Sequence, residues 1–174
     1  MARIDLITER SPSFTDEEAE TFDWIVESRG AMIRPFQVLM HSPRIARSAA
    51  ELGAKIRFES SLEDQDRELV ILTVGVTHGC AFVWDTHIDL AREAGIRAVA
   101  IDAVRDESTD LSSLDEREEL LVTATRELCR SGSVSEERFA RLRAACGQKG
   151  AVEFSATVGY YTMLGFVMGA CDAC

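Results

Sequence analysis

At 174 residues the chain is long enough for a single domain (1–174) that buries about 70% of its unfolded surface. Its 46% apolar and 28% charged residues are the proportions of an ordinary soluble globule rather than of a disordered chain. A formal net charge of −11, with no basic cluster, repels phosphate backbones and anionic headgroups, which excludes nucleic acid and a membrane surface as expected partners.

The opening MARIDLITERSPS mixes charges early and has no apolar core, so no signal peptide is expected. Five cysteines, at 80, 129, 146, 171 and 174, are an odd and scattered set rather than a disulfide framework. Reduced thiols in a cytoplasmic protein are the expectation. Cys171 and Cys174 spell C-x-x-C, but they end the chain, where fraying is expected and acidic neighbours do nothing to activate a thiol.

Residues 1–30 read as an N-terminal helical extension. Ser11-Pro12-Ser13 followed by Phe14-Thr15-Asp16-Glu17-Glu18 reads as a helix start, a small polar cap and then acids in the first turn; Phe22, Ile25 and Val26 continue the helix and Gly30 stops it. Arg34 to Met40 makes a short helix with Pro35 in its first turn. From Pro43, the helical spacing of Ile45, Ala46, Ala49 and Ala50 is expected to stop near Gly53, with a second piece at Ile56–Phe58. Leu69 to Thr77 is β-branched and apolar, and by propensity alone Val70 to Val74 reads as a strand. The helical flanks, and the lack of any other convincing strand, favour a helix. Another helix follows from Cys80 to Ala94, then a short element from Ile96 to Val104 and an acidic link at 106–110. Leu114 to Cys129 is amphipathic; Ser135 caps a helix that ends at Gly147. The final run, Ala151 to Ala170, carries Glu153 as its one charge. Its three glycines and missing basic flank favour a buried bundle helix over a membrane span. The fold class is all-α, with about eight helices and residues 171–174 as a tail.

The chemistry concentrates between Glu68 and Ala94. On a helix beginning at Cys80, the positions of Cys80, Val83, Trp84, His87 and Ala91 share one side at about 100° per residue, with Asp85, Asp89 and Arg92 turned away. A thiol and an imidazole two turns apart suit either a reactive pocket or a core; a free cysteine among apolar neighbours is commonly a small buried hydrophobe. His78, Cys80 and His87 match no common zinc spacing, so no metal is expected.

Glu68, then eleven residues to Cys80, then His87 resembles the E-x11-C-x2-C-x3-H signature of the carboxymuconolactone decarboxylase and alkylhydroperoxidase D superfamily, with Val83 where the second cysteine stands. Met40-His41-Ser42-Pro43, the stretch His87 to Gly95, and Val152-Glu153-Phe154 through Gly159-Tyr160-Tyr161 to Leu164 resemble further segments of that family. The resemblance covers residues 30 to 170. It implies an all-helical, alkylhydroperoxidase D-like fold and a homo-oligomer, trimeric or hexameric, with sites near subunit contacts.

Val83 removes the resolving neighbour that a two-cysteine peroxidase needs. The favoured function is therefore a cofactor-free lyase of decarboxylase type acting on a small carboxylated or lactone-bearing molecule. In that reading His87 is general acid/base, Glu68 orients it, and Cys80, Trp84 and Val83 line the pocket. His78 is a second polar lining, and Arg34 is the candidate for a substrate carboxylate. The alternatives are a thiol-dependent peroxidase using Cys80, for which Cys129, Cys146 or the terminal pair would have to come near, and a non-catalytic helical oligomer that binds a ligand or a partner.

Overall fold

The computed structural model describes residues 2–174. Eight helices make the fold: α1 (Asp16–Arg29), α2 (Arg34–Leu39), α3 (Pro43–Phe58), α4 (Asp64–Thr77), α5 (Ala81–Glu93), α6 (Ala98–Arg105), α7 (Glu116–Ser131) and α8 (Glu136–Ala170). No strand occurs among the described residues.

Local chemistry explains most of the boundaries. Thr15 opens α1 through a capping box: its hydroxyl accepts from the Glu18 N–H, while the Glu18 carboxylate accepts from the Thr15 N–H at 2.7 Å. Asp115 and Glu118 repeat the device at the start of α7. Within α8, Gly147 leaves helical geometry (φ 74°, ψ 176°), a backbone shape that side chains disfavour, so the two helices expected around that residue meet there at a kink.

α4 is the axis of the bundle, packed against α5, α6, α7 and α8. Every residue from Asp66 to Gly75 is buried, and Val70, Ile71 and Leu72 are wholly so. Packing on all sides therefore overrides strand propensity, because a helix that is apolar all round is satisfied only by complete burial. The charges near its start are paired: Arg117 on α7 grips the buried Asp66 carboxylate through Nε at 2.9 and 3.0 Å, pinning α7 to α4.

Two expectations need correction. α3 does not stop near Gly53; it runs to Phe58. Gly53 is there for packing, since a Cβ at that position would come 2.2 Å from the Tyr160 hydroxyl on α8. Nor does the tail fray. Asp172 takes a left-handed turn (φ 54°), Asp172 N–H donates to Gly169 O, and Ala173 N–H donates to Met168 O at 2.8 Å. This doubly bonded helix ending leaves Ala173 buried and is held from outside by Arg3, whose N–H donates to Cys171 O. No helix among the described residues is long and apolar enough to cross a membrane.

Candidate active site

Two helices supply the central pair. Glu68 lies in the second turn of α4, and His87 lies midway along α5, which packs closely enough on α4 that a Cβ at Gly75 would meet Val83 at 2.9 Å. His87 Nδ1 and Glu68 Oε2 are 2.7 Å apart, and both side chains are buried, at 7% and 5% exposure. A carboxylate only accepts, so the shared hydrogen sits on Nδ1 and leaves Nε2 as the ring nitrogen open to chemistry. Tyr161 of α8 stands edge-on to the imidazole at 5.2 Å between centroids and nearly perpendicular. Burial lifts the Tyr161 phenol far above its ordinary value, so it remains protonated and able to donate.

His87 borders a small cavity of about 50 Å³ together with Val83, Thr86, Tyr160 and Tyr161. That space holds little more than ordered water, so a larger molecule fits only if lining side chains, such as the half-buried Phe82 and Arg57, move. Two guanidinium groups, of Arg29 and Arg57, share the lining. Arg29 donates to the Ala50 carbonyl at 2.7 Å and lies 4.5 Å above the Phe36 ring; burial pulls its value below that of a free guanidinium, partly offset by Tyr160 beside it. Arg57 lies over the Phe58 ring. Neither forms an ion pair with a carboxylate among the described residues, which is unusual for two cations sharing one cavity wall. Arg57 also borders a separate open cleft, which Glu68 lines together with Asp64 and Arg67.

The remaining expected site residues disperse. Val83 lines the cavity as expected. Trp84 does not; it is half-buried over a separate groove beside Ile88 and Ile101. The reason is rotational. At about 100° per residue, Val83, Thr86 and Phe82 step away from His87 to one side of α5, whereas Trp84, Ile88 and Arg92 step to the other. His78 caps the end of α4, its Nε2 is 3.1 Å from Thr162 Oγ1, and its ring is edge-on to Phe166; burial pushes its value down. Arg34 is exposed in the first turn of α2 and is not part of the lining. Cys80, at the N-cap of α5, is 2% exposed and also outside the lining; its sulfur lies 2.6 Å from that of Cys174. Among the described residues, no three His, Cys, Asp or Glu side chains cluster to hold a metal ion.

Residues 43–127, from the start of α3 through most of α7, match the family described as carboxymuconolactone decarboxylase. That middle stretch of the chain is similar to the family. Both members of the Glu68–His87 pair fall inside the matched stretch, whereas Arg29, Tyr160 and Tyr161 fall outside it. No curated protein sequence matches the chain. Solved structures that share the fold include three at 13–20% identity. A protein of unknown function from Agrobacterium tumefaciens, linked by name to antioxidant defence and AhpD, superposes with a TM-score of 0.65 at 20% identity, covering 78% of this chain and 93% of its own. A peroxidase-related protein from Silicibacter sp. TM1040 gives 0.74 at 15% identity, covering 98% and 90%. A cysteine-to-alanine variant of the debrominase Bmp8, in complex with 2,3,4-tribromopyrrole, gives 0.69 at 13% identity, covering 100% and 93%. The eight-helix, all-α fold is thus that of the alkylhydroperoxidase D-like proteins.

Arg29, Arg57, Tyr160 and Tyr161 were not among the expected site residues. They come from α1, α3 and α8, and only the Tyr160-Tyr161 pair carried a motif; Arg29 before the terminal Gly30 looks like any cation at a helix C-terminus.

Proposed function

We propose that the protein is a lyase of decarboxylase type that acts on a small carboxylate-bearing molecule by general acid/base catalysis at His87. The observation that carries this reading is the buried 2.7 Å contact between His87 Nδ1 and Glu68. It fixes the imidazole and places an anion behind it, so that Nε2 can take up a proton and return it as imidazolium. Loss of carbon dioxide breaks a carbon–carbon bond and leaves its electron pair on the substrate as an enolate; a proton from Nε2 to carbon then completes the product. The two unpaired guanidinium groups of Arg29 and Arg57 fit the substrate carboxylate and the developing enolate oxygen, with Tyr161 as a neutral donor.

The same geometry disfavours the other two readings. A peroxidase needs its attacking sulfur open to substrate, and Cys80 is buried outside the cavity. A purely binding protein has no need to bury a carboxylate against an imidazole, an arrangement costly in desolvation unless the pair is used or very well compensated.

The test is turnover of a panel of β-keto acids and carboxylated lactones in deuterated water. Enzymatic proton delivery puts one deuterium, with a single stereochemistry, on the carbon that carried the departed carboxyl group, and His87→Ala abolishes it. Racemic deuteration, or turnover unchanged in His87→Ala but lost in Cys80→Ser, would reverse the assignment in favour of the thiol.

A further inference from the structure

Five cysteines lie outside the Glu68–His87 chemistry, and the fold brings two of them together across 94 residues of sequence. Cys80 Sγ and Cys174 Sγ are 2.6 Å apart, so a disulfide of about 2.05 Å needs only a small further approach. The placement is built by several independent contacts. Cys80 is fixed at the N-cap of α5, with its N–H donating to Gly75 O at 2.9 Å. The left-handed turn at Asp172 and the two hydrogen bonds that close it return the chain end onto the bundle, and Arg3 holds that turn in place. The buried Ala173 seats the last residue, and Cys174 Sγ also lies 4.0 Å from the Gly165 carbonyl of α8. Cys171, the other half of the terminal C-x-x-C, makes no sulfur contact with Cys174 among the described residues.

We propose that Cys80 and Cys174 are a reversible dithiol–disulfide couple that exchanges with small-molecule disulfides, Cys174 being the member that reacts with solvent and Cys80 the member that resolves. Cys174 is the exposed residue of the two and Cys80 is buried, which sets that order. The Cys174 thiol gives its proton to solvent, and its thiolate attacks one sulfur of RS–SR; that bond breaks and RS⁻ leaves to be protonated. Cys80 then loses its proton and attacks the Cys174 sulfur of the mixed disulfide, forming the Cys80–Cys174 bond and expelling the second RS⁻. The two protein thiols give up two electrons, one small disulfide becomes two small thiols, and the two protons released are taken up by those thiols. Burial, with Cys80 alongside, pushes the Cys174 thiol up to about 12, so the attacking member rests as a thiol near neutral pH and exchange accelerates as pH rises. Closure fastens the start of α5 to the end of α8, the two helices whose residues Val83, His87, Tyr161 and Leu164 wall the cavity. This inference is independent of the decarboxylase reading, because it uses none of the same side chains.

Full-length protein, reduced and then incubated with oxidised glutathione at pH 8.5, is quenched by alkylation and read by intact mass and peptide mapping. The expected product has lost two hydrogens, shows a Cys80–Cys174 cross-linked peptide, retains three alkylatable cysteines and melts roughly 5 °C or more above the reduced form. Cys174→Ser should abolish the cross-link, and Cys171→Ser should leave it unchanged. A Cys171–Cys174 cross-link, a glutathione adduct on Cys174 that never resolves, or formation of the Cys80 cross-link in Cys174→Ser would each overturn the assignment. The mass readout requires no turnover, so it stands whether or not a decarboxylase substrate is found.

Discussion

Substitution of Glu68 separates the chemical from the structural role of the pair. In Glu68→Ala the His87 Nδ1–H loses its acceptor inside the bundle, which costs about 1–3 kcal/mol for an unsatisfied buried donor. Arg67 loses as well: its Nε lies 3.8 Å from Glu68 Oε1, has no hydrogen-bond partner, and would be left with only the Asp64 contact at 2.8 Å. The gross attraction at that separation is about 4 kcal/mol at an effective dielectric of 20, but relief of the Glu68 desolvation offsets most of it. The net cost is about 2–4 kcal/mol, a fall in Tm of roughly 4–16 °C for a chain of this size. Glu68→Gln keeps an acceptor oxygen of the same shape and loses only the charge, so it should cost about half as much. Catalysis should respond differently. Both variants remove the anion that stabilises the imidazolium, so kcat should drop by about 10²–10⁴ in each. Thermal melts and steady-state kinetics on the two proteins decide it. If Glu68→Gln retains wild-type kcat/KM, or if Glu68→Ala melts with the wild type, the carboxylate is not the partner described here.

Arg57→Gln removes a guanidinium assigned to the substrate carboxylate. It should raise KM by about 10–100-fold with a smaller effect on kcat, in line with about 1.5–3 kcal/mol for a hydrogen bond to a charged group, and equal effects on both would count against an anchoring role. Gly53→Ala drives a methyl group toward the Tyr160 hydroxyl, so it should displace that ring and depress activity with secondary structure intact by circular dichroism; a fully active variant would show that Tyr160 is dispensable. Burial lowers the His78 value below that of the unfolded chain. Its contribution is therefore fully present above about pH 6.5 and is lost as the pH falls through that value toward the folded one, because the unfolded state then binds more protons. His78→Gln should flatten that part of a stability-versus-pH curve; an unchanged slope would assign it to other groups. Exposed Phe58, Val152 and Leu52 fit a homo-oligomer, and sedimentation of a monomer at micromolar concentration would argue against one.

The pairing of Glu68 with His87 was legible through the resemblance to the family signature, which places a glutamate on one helix and a histidine on the next; helical phase alone gave His87 but not its partner. Also legible were the start of α1 ahead of its acidic first turn and the break at Gly147, both short-range effects. Trp84 was misplaced since a five-residue stripe is wide enough to face two neighbours, and phase alone does not say which flank meets the cavity. Gly53 read as a helix stop because conformational freedom is the common use of glycine; its actual use, room for a tyrosine from α8, is a long-range fact. Arg29 and Arg57 were invisible for the same reason. Val70 to Val74 shows tertiary burial overruling local preference, an outcome that no window of residues contains.

The enclosure of α4 has a consequence for which part of the molecule holds its shape longest. Amides of a helix covered on every side exchange with deuterium only when most of the bundle comes apart, whereas those of α1 and α2 are released by small local openings. Glu68 rides on the slowest-exchanging rod, and Arg29 and Arg57 ride on the outer elements that breathe. On the proposed reading, the carboxylate that positions His87 would stay registered while the anion-holding wall loosens and closes around each incoming molecule.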